Sequence, residues 1–344
     1  MKRREFLRSS ILTTAFLSMG GYSLANVDSK FKTKTDWPKS DDNWKYMGKK
    51  DTSSVKREKE YVFDVAVIGG GVAGLCAAVS AARHGAKTVL VQNRSVLGGN
   101  ASSEIHVPIN GSYHFKNKFG VDRETGIVEE IQLENRYYNV QNSWEVWDHV
   151  MYDYVTRQEN LTLMLNTQAM EAVMDGNSIK KAICFQFSTE SKIIISADVF
   201  IDCSGDGALA ASAGAEYRTG REGKAEFNEK YAPDEPDGWV MGDSIQFSSK
   251  DMGYPVPFNP PSFAIKYDPS KANKRNITQL SCGFWWVELG SDLDIVDVTE
   301  ENRHKLLGYL YGAWDYVKNS GKFPEAANLV LDWVCLLYTS DAAD

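Results

Sequence analysis

Residues 61–91 read YVFDVAVIGGGVAGLCAAVSAARHGAKTVLV, and this stretch decides the fold class. Its first eight residues form an apolar, β-rich run that is typical of a buried parallel strand. The glycine-rich segment GGGVAG follows at once, then a small-residue helix, and residues 87–91 predict a second strand. A G-x-G-x-x-G segment between a strand and a helix, inside a βαβ unit of about thirty residues, indicates a dinucleotide-binding fold.

Each glycine of this segment has a predicted role. Gly69 permits the tight turn, Gly71 lets the backbone approach a pyrophosphate, and Gly74 lets the helix pack closely on the strand. Val72 and Ala73 open the helix, whose N-terminal N–H groups and partial positive charge favour phosphates. These five residues are therefore predicted to contact the cofactor. The alternative is a glycine-rich turn in an unrelated α/β protein.

A ribose-binding residue is expected about twenty positions after the second glycine of the motif. Gln92 stands there, followed by Asn93 and Arg94. An acidic residue is usual, but the amide oxygen of glutamine can also accept a hydrogen bond from a hydroxyl group. These three residues are therefore predicted to hold the ribose.

Two further segments favour a flavin nucleotide. The pair Gly98-Gly99, followed by Asn100, is common in flavoproteins of the glutathione-reductase-like superfamily, where the backbone passes the flavin ribityl group and phosphates. A helix at 143–158, a strand at 161–166 and a hairpin turning at 175–177 come next. A strand is predicted after them, at 197–202. It ends in Cys203-Ser204-Gly205-Asp206-Gly207, which in that superfamily touches the dinucleotide a second time.

On these segments the chain resembles the secreted bacterial FAD-dependent oxidoreductases of the glutathione-reductase-like superfamily, which are related to the fumarate reductase flavoproteins. The resemblance extends over roughly residues 61–333. The segments that carry it are 64–93, VLGGNASSE at 96–104, FIDCSGD at 200–206, GAEYR at 214–218, GRE at 220–222 and MGDS at 241–244.

The resemblance implies FAD as cofactor, a redox reaction and an α/β fold: a Rossmann-like FAD-binding domain of the ββα type with an inserted α+β substrate domain. Ser204, Gly205 and Asp206 are then cofactor contacts. Family members continue beyond residue 344, so the chain is expected to be C-terminally truncated. The expected segments are a signal peptide at 1–25, a linker at 26–60, a discontinuous FAD-binding domain at 61–215, a partial substrate domain at 216–333 and a non-native tail at 334–344.

The first 25 residues are predicted to direct export. KRREFLR at 2–8 carries a twin arginine, an apolar run follows at 11–17, and Ser23-Leu24-Ala25 is a small-x-small cleavage site. This order is that of a twin-arginine signal peptide, and the alternative is an amphipathic N-terminal helix. We therefore expect the twin-arginine translocase as a partner, a periplasmic or secreted protein, and no stable membrane anchor.

Composition excludes several functional classes. Of the 344 residues 43% are hydrophobic and 24% charged, as in a soluble globular protein. The formal charge of −8 makes the chain a poor candidate for binding nucleic acid. Five cysteines without a C-x-x-C motif fit neither a disulfide scaffold nor a zinc site, and no metal site is predicted.

Candidates for catalysis are few. His106 and His114 follow the glycine pair, and Arg221 could bind an anionic substrate, although a solvated charged turn is the alternative for Arg221. Glu104 is interpreted as a base or a helix cap, and Cys203 as a buried small hydrophobic residue.

The substrate is predicted to be a small molecule. Trp285-Trp286 could stack on a sugar, which makes a carbohydrate-derived substrate one candidate, although core packing is the default for two tryptophans. Two alternatives to flavin-mediated hydride transfer stay open. One is an NAD(P)-dependent enzyme or a lyase that uses its dinucleotide catalytically, and the other is a secreted, non-catalytic binding protein on a flavoprotein scaffold.

Overall fold

A computed structural model describes residues 57–109, 124–272, 277–283 and 287–336. The described strands are β1 (Glu58–Ile68), β2 (Thr88–Val91), β3 (Leu161–Met164), β4 (Thr167–Asp175), β5 (Ser178–Gln186), β6 (Ser191–Asp202), β7 (Asp243–Asp251), β8 (Cys282–Gly283), β9 (Glu288–Leu289) and β10 (Leu329–Leu336). The described α-helices are α1 (Val72–Arg83), α2 (Ile127–Tyr138), α3 (Trp144–Thr156), α4 (Ala208–Ser212), α5 (Lys224–Phe227) and α6 (Ile295–Asn319).

The first sheet has six strands in the order β3-β2-β1-β6-β5-β4. Strands β3, β2, β1 and β6 are parallel to one another, whereas β5 is antiparallel to both β6 and β4 and forms with β4 the hairpin predicted at 175–177. The chain leaves β1 for β2 on one side and returns in β6 on the other. The carboxyl ends of these strands therefore meet at a topological switch point, where open α/β sheets bind ligands.

Both faces of the first sheet are covered. Successive residues of a strand point to opposite faces, so Val67 and Leu90 pack with the helices α1 and α3, whereas Ala66, Ile68 and Val89 pack on the other face. Helices α1, α2 and α3 lie against the first of these faces, and α4 and the β4–β5 hairpin contribute to the second. Burial on both faces explains why β2 and the end of β1, residues 66–68, read as apolar runs, whereas Tyr61 and Val62 at the start of the predicted run are exposed.

Strands β1 and β6 are longer than the sequence predicts. The linker was expected to extend to residue 60, but β1 already begins at Glu58, which pairs with Lys192 in the sheet and through a 3.1 Å ion pair. Strand β6 runs without a break from Ser191 to Asp202, because β1 and β5 supply hydrogen-bond partners on its two edges.

A second sheet follows, in which β7 pairs with β10, β8 and β9. Ile245 and Phe247 of β7 face α6, and the Phe247 and Trp314 rings meet edge to face at 5.6 Å. The non-native origin of the tail from residue 334 stays a prediction, and residues 334–336 of that tail lie within the second sheet. These residues complete β10, and Leu336 is buried against the same core as Ile245.

The structure confirms the predicted α/β fold with a Rossmann-like sheet. Within the described residues, no helix combines the length and the apolar character needed to cross a membrane. The predicted signal peptide, most of the predicted linker, His114, Trp285, Trp286 and residues 337–344 lie outside the described residues.

One prediction concerns the start of α1. A Cβ atom at Gly74 would lie 1.9 Å from the carbonyl oxygen of Gly69 and 3.1 Å from Cβ of Cys203. Gly74→Ala should therefore lower the free energy of unfolding by about 1–3 kcal/mol, despite the higher helix propensity of alanine.

Chemical denaturation of the apo-protein measures this loss, with Gly71→Ala as the matched control. A Cβ atom at Gly71 would have no neighbour within 4 Å, and its φ of −62° suits any residue. Equal stability of the two variants would contradict the packing account.

Candidate functional site

The glycines that follow β1 have two different roles. Two of them are needed for close packing of the backbone, and one leaves open space for a ligand. Gly69 has φ of +102°, and a Cβ atom there would lie 1.9 Å from the carbonyl oxygen of Cys203. Gly74 is in similar contact with Gly69. At Gly71, by contrast, the space beyond the backbone is open. The first and third glycines are thus required by the fold, and the second faces room for a ligand.

The side chain of Gln92 holds this loop in place. Its Oε1 accepts a 2.9 Å hydrogen bond from the Gly70 N–H, and its Nε2 donates to the Val96 carbonyl at 3.1 Å. Gln92 is buried, with 4% of its surface exposed. Its predicted role toward a ribose stays a prediction, but the structure gives its amide a structural task that the motif spacing did not indicate.

The glycine pair lies directly beside the glycine loop. Gly98 donates its N–H to the Gly70 carbonyl at 2.8 Å, and a Cβ atom at Gly99 would come within 3.3 Å of Cα of Gly71. Both residues of the pair have positive φ, at +102° and +58°, which favours glycine. The pair therefore lets two backbone segments approach each other at the switch point.

The end of β6 supplies the third segment. Cys203 donates its N–H to the Ile68 carbonyl at 2.6 Å, which continues the pairing of β6 with β1. The Asp202 carboxylate accepts from the N–H groups of Ser204 at 2.9 Å and Ala210 at 2.7 Å. It thereby fixes the turn that carries Ser204, Gly205 and Asp206 to the edge of the sheet.

These three segments enclose a cavity of about 540 Å³, a volume within the range of small-molecule and cofactor sites. Thirteen of the fourteen predicted cofactor residues line it: Gly69, Gly71, Val72, Ala73, Gln92, Asn93, Arg94, Gly98, Gly99, Asn100, Ser204, Gly205 and Asp206. The fourteenth, Gly74, is used in packing.

Sequence reasoning missed several lining residues. Thr167, Gln168 and Ala169 line the cavity from the start of β4, and Ile105 lines it beside Glu104, which the sequence indicates only as a base or cap. Because β3 is parallel to β2, the turn after β3 reaches the same edge of the sheet. No motif marks residues 167–169, and their position follows from the strand order of the sheet.

The wall of the cavity contributes backbone N–H groups and few basic side chains. Arg94 is the one basic side chain among the described residues that line it, and it lies 3.8 Å from Glu104. Helix α1 begins at the cavity with Val72 and Ala73 and has no acidic residue in its first turn. Its unpaired N-terminal N–H groups and dipole favour an anionic group, so the site fits the phosphates of a dinucleotide.

His106 lies beside this cavity rather than in its wall. Its imidazole is stacked between Trp144 at 5.0 Å and Trp333 at 3.9 Å, and it therefore connects α3 with β10. Burial lowers the pKa of His106 from its ordinary value, and its buried Nε2 has no hydrogen-bond partner among the described residues. A catalytic role for this imidazole stays a prediction.

The remaining candidates from sequence are Arg221, Glu104 and Cys203, of which Arg221 lies away from the cavity. Arg221 is exposed and pairs with Asp237 through its guanidinium and through the backbone, as in the charged-turn alternative, and it does not line the cavity. Glu104, interpreted from sequence as a base or cap, is the rim partner of Arg94. Burial raises the pKa of the Cys203 thiol, which agrees with a packed rather than reactive cysteine.

The role of Gln92 gives a testable prediction. Gln92→Met keeps the side-chain volume but leaves the Gly70 N–H without its partner, so the free energy of unfolding should fall by about 1–3 kcal/mol. The neighbouring exposed Asn93 provides the control, because Asn93→Met should change stability by less than about 0.5 kcal/mol. Urea denaturation measures the free energy of unfolding of both variants. Equal free energies would show that the Gln92 contact is not needed for stability.

Comparisons with known proteins agree with this geometry. Residues 64–339 match the FAD dependent oxidoreductase family, a range that includes residues 334–336 of β10. A segment of 55 residues is 40% identical to the soluble pyridine nucleotide transhydrogenase of Hahella chejuensis. That segment is 16% of this chain and 12% of that enzyme, so the match spans only a small part of this curated relative.

Among solved structures, the chain is similar to a geranylgeranyl bacteriochlorophyll reductase-like protein from Thermoplasma acidophilum. The identity is 13% and the TM-score 0.40, over 81% of this chain and 66% of that one. It is also similar to the open conformation of a flavocytochrome c3 fumarate reductase, at 15% identity and a TM-score of 0.30, over 47% and 35% of the two chains. Since the family match covers most of the sequence and the switch-point cavity fits its cofactor, the chain belongs to the FAD dependent oxidoreductase family.

Proposed function

We propose that this FAD-dependent oxidoreductase transfers a hydride between a small-molecule substrate and FAD held at the switch-point cavity, and that it does so in the cell envelope. The observation that carries the first part is the open space beside Gly71. It lies where the glycine loop, the glycine pair and the end of β6 meet in one cavity. FAD, when bound, supplies the two-electron chemistry, and the protein supplies binding, orientation and exclusion of water.

Different residues around the cavity would bind the phosphates and the ribose of FAD. Gly71, Val72 and Ala73 would receive the phosphates at the N-terminus of α1. Asn93 and Arg94 follow β2 in the cavity wall and would contact the ribose, whereas the amide oxygen of Gln92 accepts from Gly70.

Residues 98–100 and 204–206 would form the other walls of the cofactor site. His106 and His114 are the catalytic candidates that the sequence offers near this site.

The alternatives can be separated by simple measurements. A flavoprotein is yellow on purification, and dithionite bleaches its visible absorbance, whereas an NAD(P)-dependent enzyme lacks that absorbance. A catalytic flavoprotein is reduced by its substrate in stopped flow, whereas a binding protein on the same scaffold is not.

Substitution of Gly71 tests the cofactor site. Gly71→Val should weaken FAD binding at least about tenfold, or about 1.4 kcal/mol, because the side chain would enter the space that the phosphates need. The apo-protein should keep its melting temperature, since this position has no close neighbour. Flavin content after purification and FAD titration of the apo-protein measure the effect.

Gly238→Val is the matched control. Gly238 also has open space around a Cβ atom, and it is not part of the cavity lining. Unchanged FAD affinity in Gly71→Val, or an equal loss in Gly238→Val, would contradict the proposed cofactor site.

The N-terminal sequence supports the cell-envelope part of the proposal, and export can be tested alone. Arg3 and Arg4 precede the apolar run and small-x-small site that are typical of a twin-arginine signal. Replacing both by lysine keeps the charge but should block export, so cell fractionation should find the protein in the cytoplasm. Normal export of this variant would refute the twin-arginine assignment without affecting the flavin site.

A further inference from the structure

A second cavity, of about 280 Å³, lies next to the glycine pair on the helical side of the sheet. It is formed by the end of α2, the start of α3 and the segment that follows the glycine pair. Its lining residues are Ala101, Pro108, Ile109, Gln132, Asn135, Asn139, Asn142, Ser143, Trp144 and Trp147. The cofactor cavity has a different set of lining residues.

The described residues that line this second cavity are neutral and rich in amides. Four of its described lining residues are amides, two are tryptophans, and none carries a charge. An amide side chain offers both donors and an acceptor, and an indole offers an apolar face. A charged ligand would find no counter-charge among these side chains, so the composition favours a neutral ligand with many hydrogen-bonding groups.

One of the four amides, Asn139, uses its side chain in hydrogen bonds within the wall of the cavity. The Asn139 Nδ2 donates to Oδ1 of Asn135 at 2.9 Å and to the Ser143 carbonyl at 2.7 Å, while its Oδ1 accepts from the Ser143 N–H at 2.8 Å. Asn139 is buried, with 2% of its surface exposed. It therefore fixes the α2–α3 connection, and Ser143 in turn caps α3.

Among the described residues, Gln132 and Asn142 line the cavity without such hydrogen bonds, and the Asn135 side chain is bonded only through its Oδ1. Within the described part of the chain, the side chains of Gln132 and Asn142 and the Nδ2 of Asn135 make no hydrogen bond to protein, and each is at least partly exposed. Asn142 is held at φ of +52°, a conformation that asparagine tolerates better than most residues.

Both tryptophans are held in fixed orientations. Trp147 is buried and donates its Nε1–H to the Ala101 carbonyl at 2.7 Å. The Trp144 ring is stacked on His106 at an angle of 4°. Rigid aromatic groups lose little conformational entropy on binding, so these rings could receive the apolar face of a ligand at low entropic cost.

We propose that this cavity binds a neutral, polyhydroxylated ring, that is, a single sugar unit. Each sugar hydroxyl both donates and accepts, which matches the amides of Gln132, Asn135 and Asn142, and the C–H face of the ring matches an indole. The proposal goes beyond the redox function and concerns binding only. It places the sugar contact at a site other than Trp285-Trp286.

Titration calorimetry of the full-length, FAD-loaded protein tests this proposal. The probes are the methyl glycosides of glucose, galactose, mannose and xylose, with glucuronate as a charged comparison. We expect binding of at least one neutral glycoside with a Kd below about 10 mM and at least about tenfold weaker binding of glucuronate. Absence of binding by all four glycosides, or equal binding of glucuronate, would overturn the proposal.

Three variants locate the site. Gln132→Leu and Asn142→Gly should each weaken glycoside binding at least about tenfold. Gln141→Leu, at an exposed glutamine outside the lining, should leave it unchanged. Asn142→Gly should also keep or raise the melting temperature, because glycine adopts positive φ without strain, so lost binding could not be attributed to unfolding. Binding unaffected by both lining variants would contradict the proposal.

FAD content separates this proposal from the proposed function. Gln132→Leu and Asn142→Gly should retain the parent's flavin occupancy, since neither residue lines the cofactor cavity. Loss of FAD from these variants would assign the second cavity to the cofactor site and overturn the proposal. Retention of FAD with loss of glycoside binding would support it whatever the redox substrate is.

Discussion

The parallel pairing of β1 with both β2 and β6 is the constraint on which the rest of the site depends. It brings the carboxyl ends of three strands to one edge, and the segments that follow them approach so closely that side chains are excluded. Gly69 lies against the Cys203 carbonyl, Gly74 against Gly69, and Gly98 hydrogen-bonds to Gly70. With the backbone packed this tightly, the open space at Gly71 becomes the place where a dinucleotide can reach the N-terminus of α1.

Gln92 shows how a departure from a motif can follow from packing. An acidic residue at this position would place a charge in a buried environment, whereas the amide of Gln92 donates to one carbonyl and accepts from one N–H. The glycine loop is thus held by the residue that the motif assigns to the ribose. Binding of the ribose would then fall to Asn93 and Arg94, which lie in the same cavity wall.

Sequence reasoning predicted those parts of the structure that local rules determine. The βαβ unit and the hairpin follow from apolar runs and turn residues, the second contact made by the end of β6 was implied by the family resemblance, and thirteen of the fourteen predicted cofactor residues line the switch-point cavity. It did not find the hydrogen bonds of Gln92, the lining residues 167–169 or the stack of His106 between two tryptophans, because these depend on contacts between distant segments. The end of β10 was missed because residues 334–336 carry no motif and gain their place only by pairing with β7.

Hydrogen–deuterium exchange with and without FAD tests the central claim most directly, because it reports on the backbone N–H groups that the cofactor should cover. The account predicts slower exchange on FAD binding in peptides that span 69–75, 92–100 and 203–208, with unchanged exchange in β7, on the second sheet. Protection confined to other segments, while FAD is demonstrably bound, would contradict the assignment of the switch-point cavity to the cofactor.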